Sequence, residues 1–208
     1  TPKPQDIYSQ VSLTLVFKIV ALAAAIFSTA VIGQEIEQKT IVYLVTRPVQ
    51  RWKLILMRSI AAAVVVALIA IVTALAVSLA TYRLGFVGNS LFWRDAIALT
   101  VGAFAYCGLF VLASLWFNRA MIICLMFAFG WETLVPNLPG DAYYLSIFSY
   151  TSVIAQHPSP GGDRDFLTFL TGQLGDNLLS VGSAWTVMII LIGGTAAASA
   201  WWFSNFEY

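Results

Sequence analysis

Charged residues are scarce in this chain. Asp, Glu, Lys and Arg make up only 10% of its 208 residues, whereas apolar residues make up 60%. Soluble domains contain about a quarter charged and roughly half apolar residues, so this chain has too few charges to cover a water-facing surface. The composition excludes a soluble enzyme domain and predicts an integral membrane protein. The net charge of +1 provides no field that would attract nucleic acid, so we expect no nucleic-acid partner.

Histidine and cysteine are equally rare. Cys107 and Cys124 are the only cysteines. Both lie in apolar stretches without a second metal ligand at short spacing, which favours packing roles. His157 is the only histidine and lies in a polar stretch with prolines and glycines. A haem or metal ligand is an open alternative there, but the setting favours a solvated loop histidine.

The sequence motifs of soluble catalysis are missing. No Gly-x-x-x-x-Gly-Lys-Ser/Thr loop occurs, so the chain cannot bind the phosphates of ATP by itself. No Gly-x-Ser-x-Gly elbow or His-Glu-x-x-His helix occurs either. We therefore expect no enzymatic activity and no cofactor on this chain, and any dependence on ATP has to come from a partner.

Long apolar runs dominate what is present. A helix needs about 20 apolar residues to cross a bilayer, because every backbone polar group there must be bonded within the protein. The runs that qualify predict an all-α polytopic transmembrane bundle and cover residues 11–33, 59–80, 96–117, 120–136 and 183–203. The fourth run is marginal because Glu132 interrupts it and Pro136 ends it. In the last run, Gly193, Gly194 and Ala197 predict the close approach of a neighbouring helix.

Basic residues predict the orientation. The link between the first two runs contains the largest basic cluster, made of Lys39, Arg47, Arg51, Lys53 and Arg58, so we expect that link in the cytoplasm. Alternation of the spans then places the segment 137–182 outside and the C-terminal tail inside. The first residue is Thr1 and no signal-peptide pattern follows it. We therefore expect one further span upstream, which gives about six spans in the whole protein.

The link itself, residues 34–53, predicts a short helix followed by a break. Glu35 and Glu37 come first, as suits the positive end of a helix dipole, and aliphatic residues follow at helical spacing. Pro48 is expected to break the helix, and Arg51 begins an interfacial anchor ahead of the second span. On composition alone, such a basic segment could simply bind anionic lipid headgroups.

The order of residues in this link resembles that of ABC-2 type transporter permeases. These proteins have an acidic pair, a Thr, an aliphatic stretch that ends near Pro, and a following Arg. The matching residues are Glu35, Glu37, Thr40, Pro48 and Arg51, and Lys39 stands where many members have Gly. The resemblance extends from the second span of such permeases to their end. It implies a six-span permease whose link forms a coupling helix docked on a separate ATP-binding subunit.

The resemblance also implies partners and a location. The chain would pair with a second copy or with a similar permease, and the ATP-binding partner would hold ATP and Mg²⁺. The complex would export a substrate across the cytoplasmic (inner) membrane of a bacterium, with the C-terminus of this chain in the cytoplasm. Short external helices cap the pathway in such permeases, which implies the same for residues 137–182. A loop that binds the lipid surface or a partner is the alternative.

Two charged residues fall inside the predicted spans. Glu132 is a candidate pathway or gating residue, because an ionisable group at membrane depth is costly and usually functional. Water near the end of the span could also solvate it. Lys18 has a long side chain that is expected to reach a lipid headgroup.

Two other functions are compatible with parts of the sequence. A permease-like scaffold in a larger membrane assembly would keep the fold and have no transport activity of its own. A secondary transporter is disfavoured because no pair of interrupted helices occurs in matching halves. The residues do not identify the substrate.

Overall fold

The structure is a computed structural model that describes residues 4–37, 51–82, 90–117, 119–137, 141–157 and 179–205. Every regular segment in these ranges is helical, which confirms the predicted all-α fold. The α-helices are α1 (Pro4–Val11), α2 (Phe17–Glu37), α3 (Arg51–Tyr82), α4 (Ser90–Trp116), α5 (Ala120–Met126), α6 (Glu132–Leu134), α7 (Ile147–Ala155) and α8 (Val181–Asn205). π-helical segments join α1 to α2 (Ser12–Val16) and α5 to α6 (Phe127–Trp131).

Helices long and apolar enough to cross a membrane occur four times in the described ranges. They are Gln5–Val31, Lys53–Tyr82, Ser90–Trp116 and Val181–Trp202. The first combines α1, the π-helical segment and α2, and we call residues 4–37 the first spanning helix. Most of these helices begin several residues before the predicted apolar runs, because a helix continues through polar residues at the membrane surface. Hydropathy therefore marks the apolar middle of each helix and not its ends.

Helix α4 lies at the centre of the bundle and packs against α2, α3, α7 and α8. The side of α3 that packs into the bundle is built from buried alanines: Ala62, Ala63, Ala67, Ala70 and Ala74. Its other side exposes large residues such as Leu68 and Val72. Small residues at helix contacts allow close packing, which is a main source of helix association in lipid. The larger residues therefore lie on the side of α3 that the described bundle leaves uncovered.

Helix α8 approaches α4 through a different face from the one the sequence predicted. A Cβ added to Gly108 of α4 would collide with the Thr195 hydroxyl oxygen, so these two helices are in close contact there. Gly193 and Gly194 are exposed, and no atom of the described chain lies within 4 Å of a Cβ added to either. The predicted close approach at these two glycines is therefore not found in the described part of the chain.

The fourth apolar run does not cross the bundle as one helix. It is helical over Ala120–Leu134, which spans about 22 Å against a hydrocarbon core of about 30 Å. Near its end, the Glu132 carboxylate lies close to the Tyr106 hydroxyl of α4. Tyr106 follows Ser90, the first residue of α4, by 16 residues, or about 24 Å along the helix axis. The run therefore stops inside the bundle.

Helix α7 completes this crossing. Its first turn lies beside Glu132, and its middle packs on α4, where a Cβ added to Gly102 would lie 2.9 Å from Cγ2 of Thr151. Just beyond its end, His157 reaches Asp95 near the start of α4. Residues 120–134 and α7 thus lie one after the other along α4, and together they form one interrupted crossing. The sequence analysis did not predict this interruption, because it assigned all of residues 137–182 to the outside.

The burial of α7 differs from the expectation of short helices on the outer surface. Most of its residues are buried: Ile147, Phe148, Ser149, Tyr150, Thr151, Ile154 and Ala155. The helix carries no charge and is mainly apolar, and a helix that is hydrophobic on most sides is stable only when it is covered. Interruptions of a helix at membrane depth are tolerated where other protein groups form hydrogen bonds with the free backbone N–H and C=O groups. Helix α7 meets that condition through Glu132.

Candidate functional site

The link that the sequence analysis assigned to coupling is only partly described. The backbone of Glu35 and Glu37 belongs to the last turn of α2, and Arg51 is the first residue of α3. Lys39, Thr40 and Pro48 lie outside the described residues. The expected start of a separate short helix at the acidic pair is wrong, because nothing at Gly33 or Gln34 stops α2.

This placement changes the reason for the acidic pair. A carboxylate is stabilised near the N-terminus of a helix and is unfavourable near the C-terminus. Because Glu35 and Glu37 lie far from the N-terminus of α2, the positive end of its dipole does not explain them. Their predicted coupling role stays a prediction.

Glu132 is buried, with 1% of its surface exposed, and its carboxylate holds the start of α7. Oε2 accepts hydrogen bonds from the Ser146 hydroxyl at 2.6 Å and from the Phe148 backbone N–H at 3.0 Å. Oε1 accepts from the Ile147 backbone N–H at 3.1 Å. The first N–H groups of a helix have no partner within the helix. Glu132 supplies that partner from another chain segment, so protein groups solvate its carboxylate in place of water.

Lys18 lies beside Glu132 in the middle of the first spanning helix. Its ammonium group donates to the backbone carbonyl of Glu132 at 2.8 Å and to the Thr133 hydroxyl at 3.4 Å, and it lies 4.6 Å from the centre of the Phe148 ring. It follows Gln5 by 13 residues and precedes Val31 by 13, so it lies about 20 Å from either end of the apolar span Gln5–Val31. The expected reach to a headgroup is therefore wrong, because the side chain bonds within the bundle.

A second buried polar cluster lies where the first spanning helix and α4 begin. Asp95 is fully buried, and its Oδ2 accepts hydrogen bonds from the Tyr8 hydroxyl at 2.8 Å and the Ser12 hydroxyl at 2.7 Å. Its Oδ1 lies 2.7 Å from Nε2 of His157. The Tyr82 ring packs 5.5 Å from that of Tyr8. The charge pattern predicts that this end of the bundle faces outside the cell, and we call it the predicted outer end.

His157 is therefore buried and paired, and the expectation of a solvated loop histidine is wrong. The reason is the turn that precedes it. Gln156 adopts a left-handed conformation with φ of 52° at the C-terminus of α7, and its N–H bonds to the carbonyls of Ser152 and Val153. This is a common way to end a helix and reverse the chain. It directs His157 back onto Asp95.

Sequence reasoning missed Asp95 altogether. The residue falls one position before the predicted third span, next to Arg94 and Trp93, and therefore resembled a surface charge. One available signal was the spacing of Tyr8 and Ser12, which places two hydroxyls on the same side of one helix. Hydroxyls aligned at the start of an apolar helix indicate a buried acceptor on a neighbour.

The described residues contain no group of three or more His, Cys, Asp and Glu side chains that could hold a metal ion. His157 and Asp95 form only a pair. Cys107 and Cys124 are buried and unbridged, as the predicted packing roles require. The site therefore consists of two anchors at the two ends of α7. Glu132 holds its start, and the pair of His157 and Asp95 holds its end.

Comparison with known proteins identifies one family. A family model described as ABC-2 family transporter protein matches residues 3–207. A search of curated proteins and a search of solved structures each returned no match. The match covers the first spanning helix, the link and helix α8. It also covers the two anchors of α7.

Proposed function

Because the chain belongs to the ABC-2 family of transporter proteins, we propose that it is the permease of an exporter whose ATP is hydrolysed by a separate subunit. The family match over residues 3–207 is the observation that supports this proposal most directly. In this complex the ATP-binding partner holds ATP and Mg²⁺. The permease pairs with a second copy or a similar chain in the cytoplasmic membrane of a bacterium, with its C-terminus inside.

The first spanning helix is suited to transmit movement from the partner. It carries Tyr8 and Ser12 near one end, Lys18 in its middle, and Glu35 and Glu37 in its last turn. The first two side chains contact one anchor of α7, and Lys18 contacts the other. A displacement of the acidic end therefore reaches both anchors through a single helix. This geometry supports α7 as the element that opens the pathway.

The proposed cycle starts at the link 34–53. ATP binding draws the two ATP-binding subunits together and moves the link, in which Lys39, Thr40 and Pro48 shape the docking surface and Arg51 fixes the start of α3. The first spanning helix then shifts against α7 and loosens its anchors. ATP must bind more tightly to one of the two states, because a ligand with equal affinity for both shifts nothing.

The test is recovery of an ATPase with the tagged full chain, purified from its own host in mild detergent. The double variant Glu35→Ala with Glu37→Ala removes two charges from the last turn of α2. We expect it to reduce the recovered ATPase activity about a hundredfold, since two charge-assisted contacts of about 1.5 kcal/mol each contribute about 3 kcal/mol. Mass spectrometry of the eluate identifies the partner.

Asp6→Ala is the matched control, because Asp6 is an exposed acid on the same helix at its opposite end. It should leave ATPase recovery unchanged. Equal activity in the double variant would show that the acidic pair does not couple the two subunits. Recovery of other membrane subunits without an ATPase would mean that the chain is a scaffold and not a permease.

A further inference from the structure

A cleft of about 350 Å³ separates the first spanning helix from the half-crossing of residues 120–134. One wall is formed by Thr14, Lys18 and Leu22, and the other by Ala128, Phe129 and Thr133. Pockets that bind small ligands have volumes of roughly 300 to 1,000 Å³. The cleft can therefore hold a headgroup and the first part of a chain, but not a whole lipid.

Both walls of the cleft contain π-helical turns. Thr14 lies in the segment Ser12–Val16, and Ala128 and Phe129 lie in Phe127–Trp131. Such turns are rare and occur frequently at functional sites, because the extra residue disturbs the regular helix bonding. Their occurrence on two facing helices indicates a functional site, and this indication does not depend on the volume of the cleft.

The polar groups of the cleft favour an anion. The Glu132 carboxylate bonds to the start of α7 and attracts Lys18 from nearby, but Lys18 bonds to the Glu132 carbonyl and forms no ion-pair contact with a carboxylate in the described part of the chain. A charge at this depth is costly without a counter-charge. The Thr14 hydroxyl is also buried, and it has no hydrogen-bond partner among the described residues. The Thr14 hydroxyl therefore lacks an acceptor, and the Lys18 ammonium, which bonds only to a carbonyl and a hydroxyl, lacks a carboxylate within ion-pair distance among the described residues.

The remaining surface of the cleft is mainly apolar, and part of it lies on the exposed surface of the bundle. Leu22, Ala128 and Phe129 present hydrocarbon, and Phe129 is 62% exposed. A chain that extends from the anionic group can therefore pass directly into lipid without crossing water. An anionic group and a hydrocarbon chain together define an amphiphile.

From this geometry we propose that the cleft binds an anionic amphiphile, with its phosphate or carboxylate on Lys18 and Thr14 and its alkyl chain along Phe129. The amphiphile enters sideways from the bilayer. That it is also the exported cargo rests on the proposed function, whereas the binding itself does not. Lys18 also contacts the anchor of α7 at Glu132, so the occupied cleft adjoins the element that we assign to opening.

The experiment uses the purified permease complex in phosphatidylcholine nanodiscs and a dodecyl phosphate that carries a photoreactive diazirine. Saturable labelling is read by mass spectrometry, and we expect labels in residues 14–22 and 128–133. Lys18→Met should weaken binding about tenfold, equivalent to about 1.4 kcal/mol, and Lys18→Arg should retain most of it. Arg119→Met is the matched control, because it removes an exposed cation from outside the cleft, and it should leave binding unchanged.

A second variant keeps the test valid if Lys18→Met does not fold. Thr14→Val retains the shape of the side chain and removes only the hydroxyl, and we expect a several-fold loss of labelling. Unchanged labelling in both variants overturns the site. Equal competition by zwitterionic dodecylphosphocholine overturns its preference for anions, and equal competition by inorganic phosphate overturns the need for a chain.

The failure of this inference can be distinguished from failure of the proposed function. If the double variant Glu35→Ala with Glu37→Ala retains full ATPase recovery while the cleft still binds dodecyl phosphate, the coupling proposal is wrong and the binding site stands. If the coupling test succeeds and dodecyl phosphate does not label the cleft, the site is wrong and the permease stands.

Discussion

Glu132 joins two chain segments that are separated by the break in the fourth crossing. Its carboxylate receives the backbone N–H groups of Ile147 and Phe148 and the hydroxyl of Ser146. In discontinuous membrane helices, exposed helix N-termini attract anionic groups. Here the protein supplies that anion from its own chain. The geometry gives Glu132 a structural role, and a gating role would need these bonds to open during transport.

We predict that Glu132→Ala destabilises the start of α7. The substitution leaves buried donors at Ser146, Ile147 and Phe148 without an acceptor, at a cost of about 3 kcal/mol. Hydrogen exchange of the purified protein in detergent should show faster exchange in residues 147–150, with little change in α3. The matched control is Asp6→Ala, which removes an exposed acid. Unchanged exchange at α7 would contradict the anchoring role.

Helix α7 packs closely on α4 through a glycine. It contacts α4 at Gly102, where even a methyl group would lie 2.9 Å from Cγ2 of Thr151. Thr151 is buried and its hydroxyl bonds back to the carbonyls of Ile147 and Phe148. A β-branched side chain in a helix has little rotational freedom, so Thr151 cannot easily move aside. The glycine therefore fixes how closely α7 packs on α4.

We predict that Gly102→Ala destabilises the bundle and that a second change in Thr151 restores it. Overpacking of a close contact costs about 1 to 3 kcal/mol, and Thr151→Ser removes the colliding methyl group while it keeps the hydroxyl. Thermal unfolding in detergent should show a lower melting temperature for Gly102→Ala. The double variant should regain most of the original melting temperature.

Gly194→Ala is the control for this prediction, because no atom of the described chain lies within 4 Å of an added Cβ there. It should be neutral or slightly stabilising, since Ala favours a helix over Gly by about 1 kcal/mol. A loss of stability at Gly194 equal to that at Gly102 would show that the contact with Thr151 is not the cause.

At the scale of the whole molecule, hydropathy predicted the long helices but not the interrupted crossing. The apolar run at residues 120–136 looked like a weak span because hydropathy does not show where a helix ends inside a bundle. The apolar residues of α7 looked like a surface helix, since their burial depends on Glu132, Gly102 and Asp95. These contacts join residues far apart in sequence, and without aligned relatives the spacing of a single chain does not reveal them.

The candidate site was only partly predictable, because its contacts also join residues that are far apart in sequence. Glu132 was identified because one carboxylate in an apolar run is conspicuous, whereas its partner groups are backbone N–H groups that no sequence pattern marks. His157 was misplaced because the prolines and glycines after it indicate a loop, while the left-handed turn at Gln156 directs it inward. Charges within apolar runs can thus be found from sequence, but their partners cannot.

The central claim is that ATP on the partner moves the first spanning helix against α7. The most direct measurement is the distance between spin labels at Ile7→Cys and Leu145→Cys in the purified complex, since both positions are exposed and both native cysteines are buried. We expect the distance distribution to shift when a non-hydrolysable ATP analogue is added, and to stay fixed when Glu35→Ala and Glu37→Ala are also present. An unchanged distribution in the parent complex, or an equal shift in the variant, would contradict the claim.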